Sequence, residues 1–139
     1  MFSMKACVIY FTTSGNTEML AESLAEGLRS KAEVELKKVS DAETLNLSDF
    51  DIIALGSPAQ GTEEIDETEM KPFYDSHVDE LKGKKVILFG CFGWGDGMFL
   101  DTWKDDAVSH GANVIKTYGN LETPEAAALD EIKEIGANA

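Results

Sequence analysis

Five short apolar runs alternate with stretches of helical periodicity, and this alternation constrains the fold more than any other feature of the sequence. The runs 52–55 and 86–89 are continuously apolar, as is typical of strands buried on both faces of a parallel sheet. The run at 34–37 alternates between apolar and charged residues, which predicts an edge strand. The five predicted strands are Lys5–Phe11, Val34–Val39, Asp51–Gly56, Lys85–Gly90 and Asn113–Tyr118.

Apolar side chains three and four residues apart predict helices between and after these strands. Pro72 fits the first turn of the second helix, and Thr123-Pro124 predicts an N-cap and first helical position for the last one. The segment 41–50 predicts only a turn or short helix. This order of elements predicts an α/β fold with a doubly wound parallel sheet, where ligands bind beyond the carboxyl ends of the strands. The apolar stripes of the four helices begin near Thr17, Met70, Phe99 and Leu129.

The length of the chain and its net charge limit the number of domains and the classes of partner. The 139 residues predict one domain, 1–139, with residues 1–3 as an extension if translation starts at Met4. Twelve Lys and Arg against 26 Asp and Glu give a net charge of −14, which disfavours nucleic acid and anionic membranes. We expect no membrane span or signal peptide. Cys7 and Cys91 lie in apolar runs and are expected to be reduced core thiols of a cytoplasmic protein.

The segment after the first predicted strand has the composition of an anion-binding loop. Gly15 permits an unusual backbone conformation, and the helix that starts at Asn16 presents free N–H groups. The alternative is a turn that only caps the helix. A Walker loop, a dinucleotide fingerprint and a low-molecular-weight phosphatase loop are excluded because their Lys, glycine pattern, or Cys and Arg are missing. The hydroxyl groups come from Thr12, Thr13, Ser14 and Thr17.

Two further loops follow the third and fourth strands, at the same edge of the sheet. Trp94 lies between glycines and suits a flat wall for a planar ligand; the alternative is an incidental exposed residue. The middle loop could likewise be an ordinary polar loop. One loop that suits a phosphate and two that suit a heterocycle together predict a mononucleotide. The two loops contain Ser57, Pro58, Ala59, Gln60, Gly61, Thr62 and Glu63, and Cys91, Phe92, Gly93, Trp94 and Gly95.

These motifs resemble those of short-chain flavodoxins over about residues 4–137. The family's phosphate-loop pattern Thr/Ser-x-Ser/Thr-Gly-Asn-Thr is matched by residues 12–17, and its GWGDG motif by residues 93–97. The resemblance implies a three-layer sandwich with strand order 2-1-3-4-5. It also implies non-covalently bound FMN and low-potential, one-electron transfer between redox proteins, with no catalytic residues and no metal.

The resemblance also implies roles for individual residues. The loop 12–17 would hold the FMN phosphate, Trp94 would stack on the flavin, and Glu63 would accept its N3–H. The Gly61–Thr62 peptide would turn its carbonyl toward flavin N5 on reduction. Cys91, Phe92, Gly93 and Gly95 would border the pyrimidine end mainly through backbone. Ser57, Pro58, Ala59 and Gln60 complete the expected cofactor-binding residues.

Two positions depart from the family pattern, and alternative functions stay open. Gln60 stands where relatives often carry Met, and Thr62 stands where Asp or Asn is common, which affects the energetics of the peptide turn. The alternatives are an FMN-dependent NAD(P)H or quinone reductase and a ribonucleotide reductase activator of the same fold. A receiver domain is disfavoured because the first loop lacks clustered acids. As a carrier, the protein would be a monomer that docks on ferredoxin- or flavodoxin-type reductases and other oxidoreductases through basic patches on those partners.

Overall fold

The computed structural model describes residues 4–60, 64–93 and 97–139. Its centre is a five-stranded parallel sheet with strand order β2-β1-β3-β4-β5, which confirms the predicted fold class and topology. The strands are β1 Lys5–Tyr10, β2 Glu33–Lys38, β3 Ile52–Gly56, β4 Lys85–Phe92 and β5 Asn113–Leu121. The helices are α1 Asn16–Leu28, α2 Met70–His77, α3 Met98–Ser109 and α4 Ala126–Ala137.

Alternating side chains of the buried strands point to opposite faces of the sheet and pack into two hydrophobic layers. On β1, Cys7 and Ile9 pack on the side of α2 and α3, whereas Val8 and Tyr10 pack on the side of α1 and α4. The sheet therefore lies between two helical layers, as predicted for a three-layer sandwich. Both cysteines are buried, which confirms their predicted position in the core, and they are not bonded to each other. In the described ranges, no helix has the length and apolar character to cross a membrane.

β4 and β5 extend beyond their predicted ends, because pairing between the two strands continues through Gly90↔Gly119 to Phe92↔Leu121. Glycine suggested a strand end, but at Gly90 its lack of a side chain is what lets the strand continue. A Cβ there would lie 1.8 Å from the carbonyl oxygen of Ser57. Gly90 is therefore a close-packing position that holds the loop after β3 against β4.

Two helix predictions need correction. The second stripe was expected to form one helix, but α2 ends at His77 and the chain continues as a 3₁₀ turn over Val78–Leu81. The predicted N-cap at Thr123-Pro124 is wrong, because α4 starts after Glu125 and its first intrahelical bond runs from Leu129 N to Glu125 O. The two predicted cap residues follow the turn at Glu122, whose N–H donates to Phe92 O over 2.8 Å. The segment 41–50 contains only short 3₁₀ turns, as predicted.

Candidate functional site

The loop between β1 and α1 lies at the carboxyl edge of the sheet. Phe11 N–H donates to Gly56 O over 3.0 Å, which ties the start of the loop to the end of β3. Gly15 is the N-cap of α1 and has a φ of 92°, a left-handed conformation that favours glycine. A Cβ at Gly15 would meet nothing within 4 Å, so the loop faces open space. The sequence-predicted residues Thr13 and Ser14 are exposed at its tip.

The first turn of α1 offers hydrogen-bond donors. The first intrahelical bond runs from Met19 N–H to Gly15 O (3.1 Å), so the amides of the three preceding helical residues have no intrahelical acceptor. No side chain in the described ranges caps this helix. The N-cap amide, Gly15 N–H, donates to Thr12 Oγ1 (2.9 Å), and this bond leaves the Thr12 hydroxyl proton able to donate to another acceptor.

Thr17 carries an unsatisfied hydroxyl at the same place. Its side chain is buried, and Oγ1 has no hydrogen-bond partner among the described residues. A buried hydroxyl without a partner is unfavourable by about 1–3 kcal/mol, so it marks a place where a ligand atom could supply an acceptor. The loop therefore combines free amides, free hydroxyls and open space, which are the features that bind a phosphate group.

Cys91 lies beside Thr17 at the end of β4. Burial raises the pKa of its thiol to about 11, and the nearby Thr17 hydroxyl lowers the pKa by a smaller amount. The contact does not have the geometry of a hydrogen bond, so it leaves Thr17 Oγ1 unsatisfied. Cys91 is therefore a buried, neutral thiol at neutral pH that lies next to Thr17.

A side-chain hydrogen bond joins β1 and α1. The Tyr10 hydroxyl donates to Glu18 Oε2 over 2.6 Å. Burial raises the pKa of Tyr10, and the neighbouring Glu18 carboxylate raises it further. The Tyr10 side chain stays neutral, and Glu18, the acidic residue of the first helical turn, is held on it.

The loop after β3 is fixed at both ends. Ser57 is completely buried, and its Oγ accepts the Asp66 N–H (2.8 Å) and donates to Pro58 O (2.9 Å). Its hydroxyl is engaged within the protein, so Ser57 supports the loop from below. Gln60 and Glu64 form an antiparallel pair with N–H to O distances of 2.7 and 3.0 Å. Pro58, Ala59 and Gln60 are half-buried at the same edge as the first loop.

Asp66 closes this loop as a cap for α2. Its carboxylate accepts hydrogen bonds from the Thr68 N–H and hydroxyl, the Glu69 N–H and the Met70 N–H, at 2.7 to 3.2 Å. Burial alone would raise the pKa of Asp66, but these hydrogen bonds outweigh it and lower the pKa below its usual value. Asp66 is completely buried and has a structural role inside the protein.

The last two residues of β4 have carbonyls that are bonded to neighbouring segments. Ala59 N–H donates to Cys91 O over 2.9 Å, and Phe92 O accepts the Glu122 N–H. Gly93 is exposed. α3 begins after Gly97, which has a φ of 80° and serves as its N-cap. Predicted site residues outside the described ranges are Gly61, Thr62, Glu63, Trp94 and Gly95, together with Asp96.

Sequence reasoning missed three residues of this region, namely Tyr10, Glu18 and Asp66 as a cap. For Asp66 a signal exists, because Asp66 and Glu69 before the apolar stripe of α2 form the Asp-x-x-Glu pattern of a helix start. The pairing of Tyr10 with Glu18 has no local signal, since it depends on how α1 packs over β1.

Comparison with known proteins identifies relatives over nearly the whole chain. The sequence model of the Flavodoxin family matches residues 8–135. The chain is 38% identical over 130 residues to a flavodoxin of Megasphaera elsdenii, covering 93% of both chains. It is 37% identical over 111 residues to a flavodoxin of Clostridium beijerinckii, covering 79% of this chain and 80% of that one.

Solved structures agree with the sequence matches. The solution structure of two-electron reduced Megasphaera elsdenii flavodoxin superposes with a TM-score of 0.87 at 36% identity, over 96% of this chain and 99% of that chain. A flavodoxin from the domain Archaea superposes with a TM-score of 0.86 at 28% identity, over 97% and 95% of the two chains. The similarity therefore extends to the whole fold, including the edge that carries the candidate site.

Proposed function

This chain belongs to the flavodoxin family, and we propose that it holds the phosphate of FMN on the loop 12–17 and works as a low-potential electron carrier. Family membership confirms the expectation of an FMN-binding electron-transfer protein and does not favour the reductase or the ribonucleotide reductase activator. When bound, FMN supplies the capacity to accept and release single electrons. The chain's own residues bind it, orient it and set the charge around it.

The observation that carries the proposal is the unsatisfied Thr17 hydroxyl beside the free amides of α1. A phosphate oxygen would supply the acceptor that Thr17 lacks, and the positive end of the helix dipole favours an anion there. Thr12 would donate its free hydroxyl proton, and Thr13 and Ser14 lie at the tip of the same loop. The residues present therefore fit a phosphate group without a cationic side chain in the loop.

For the flavin ring, the support comes from the family motifs. We propose that Trp94 stacks on the ring, that Glu63 accepts its N3–H, and that the Gly61–Thr62 peptide turns toward it on reduction. The pair formed by Gln60 and Glu64 fixes both ends of the segment that contains this peptide.

The proposed low potential follows from charge. Glu64 and Glu67 are exposed near the site and the whole chain has a net charge of −14, so adding an electron there is opposed. A repulsion of about 3–5 kcal/mol would lower a one-electron potential by about 130–210 mV. A phosphate site built from hydroxyls and amides holds the cofactor without adding a positive charge that would cancel this effect.

We propose that redox partners with basic patches dock at this edge, on a monomer in the cytoplasm. Two exposed apolar side chains support this location of the docking surface. They are Met98 (52% exposed) and Leu121 (57% exposed). Leu121 pairs with Phe92, and a Cβ on Gly97, the residue before Met98, would lie 3.2 Å from the Phe92 ring. Both residues therefore flank the end of β4, where a small apolar contact surrounded by acids suits a transient complex.

The experiment that tests the function is flavin binding by the purified protein. We expect a yellow protein with flavin absorption bands, whose apoprotein binds FMN much more tightly than riboflavin because riboflavin lacks the phosphate. Reduction should proceed in two one-electron steps. A colourless protein that does not bind FMN would overturn the proposal, and steady-state NAD(P)H oxidation by the protein alone would support the reductase instead.

A further inference from the structure

The bond between Tyr10 and Glu18 lies directly beside the proposed phosphate site. Tyr10 is the last residue of β1 and Glu18 is the third residue of α1. The Tyr10 side chain is almost completely buried, so it presents its hydroxyl to Glu18 from a fixed position. The 2.6 Å distance is typical of a hydrogen bond to an ionised carboxylate.

An acidic side chain at the third position of a helix can also interact with the start of its own helix. It commonly folds back onto the N–H at the N-cap, and the dipole attracts it to the free amides of the first turn. Here the Gly15 N–H is bonded to Thr12 Oγ1, and the Glu18 carboxylate lies on Tyr10. Glu18 is therefore the protein's own potential competitor for the amides that would bind the phosphate.

We propose that Tyr10 is a positioning residue that holds the Glu18 carboxylate away from the start of α1, so that its amides stay available to the FMN phosphate. The inference rests on the proposed function, because it concerns the occupancy of that same site. Tyr10 does not touch the phosphate in this scheme; it acts through Glu18. The single hydroxyl of Tyr10 then affects the affinity for ligands that carry a phosphate and leaves other ligands unaffected.

The test compares FMN and riboflavin binding to the apoproteins of four variants by flavin fluorescence quenching. Tyr10→Phe should weaken FMN binding by about two- to five-fold, which is the usual range for a carboxylate at a helix start. Riboflavin binding should not change. Glu18→Gln should bind FMN at least as tightly as the wild type. The double variant Tyr10→Phe/Glu18→Gln should regain the affinity of Glu18→Gln.

A matched control is Tyr74→Phe, because the Tyr74 hydroxyl also donates to a carboxylate, Asp106 Oδ2 at 2.7 Å, between α2 and α3. It should leave FMN affinity unchanged. Urea unfolding of each apoprotein checks that the fold is retained. The inference is overturned if Tyr10→Phe leaves FMN affinity unchanged, weakens riboflavin equally, or is not rescued by Glu18→Gln. Failure of the proposed function looks different, because the wild type itself would not bind FMN.

Discussion

The starts of α1 and α2 lie at the same edge of the sheet, but they differ in how their free N–H groups find an acceptor. Each helix presents backbone N–H groups that have no acceptor within the helix. At α2 the buried carboxylate of Asp66 accepts from the N–H of Met70, the first residue of the helix, and from those of Thr68 and Glu69 in the turn before it. At α1 no described side chain caps the helix, and Glu18 is bonded to Tyr10.

The difference separates a helix start that is complete in the protein from one that is left for a ligand. Asp66 supplies an internal anion, so α2 contributes to stability without a cofactor. α1 keeps its amides and the Thr17 hydroxyl unsatisfied, which reduces the stability of the apoprotein and favours binding of an external anion. Substitutions at α2 should therefore change folding, and substitutions at α1 should change cofactor affinity.

The largest effect is expected from Asp66→Ala, which removes the internal anion from α2. Three backbone amides and the Thr68 hydroxyl lose their acceptor, so the free energy of unfolding of the apoprotein should fall by about 2–4 kcal/mol. Urea unfolding followed by circular dichroism measures this. The ratio of FMN to riboflavin affinity of the folded fraction should stay within about two-fold, because the phosphate site at α1 is untouched. A stability equal to that of the wild type would contradict the capping role.

Thr17→Val should reduce cofactor affinity without reducing the stability of the apoprotein. Removing a hydrogen bond to a charged phosphate should weaken FMN binding by about 1.5–3 kcal/mol, while riboflavin affinity stays constant. The apoprotein should be at least as stable as the wild type, because an unsatisfied buried hydroxyl is removed. The matched control is Thr68→Val at α2, which should reduce stability by about 1 kcal/mol and leave FMN affinity unchanged. If the two variants behave alike, the two helix starts do not differ as described.

Lowering the pH should reduce the stabilisation of the start of α2, because Asp66 loses its charge. Its pKa is lower in the folded protein than the usual unfolded value of about 4, so the unfolded state takes up the proton first. Its stabilising contribution is complete above about pH 4 and is lost as the pH falls through the lowered pKa. The difference in unfolding free energy between wild type and Asp66→Asn should therefore shrink below pH 4. A constant difference between pH 7 and pH 2.5 would show that ionisation of Asp66 is not what stabilises α2.

The same two helix starts show how far the sequence could predict the structure. The hydroxyl-rich loop around Gly15 was recognisable because its composition is local, and the continuous apolar runs predicted a parallel sheet whose order is confirmed. The role of Tyr10 was not predictable, because residues eight positions apart meet only after α1 has packed on β1. The start of α4 was misplaced because the backbone bond from Glu122 to Phe92 overrides the local preference of Thr123-Pro124.

The smallest expected effect comes from adding a cation to the loop of α1 by Thr13→Lys. By Coulomb's law a unit positive charge at a separation of roughly 10 Å, in a medium of effective dielectric constant about 40–80, would stabilise an added electron by about 0.4–0.8 kcal/mol. The potential for the second electron should therefore rise by about 20–35 mV, which a redox titration against a reference dye can measure. Thr13→Gln is the neutral control and should not shift the potential. The shift should shrink in about 1 M salt because Thr13 is exposed and the charge is screened. An equal shift in the Gln variant, or a shift that does not depend on salt, would contradict the idea that the lack of a cation in this loop helps to keep the potential low.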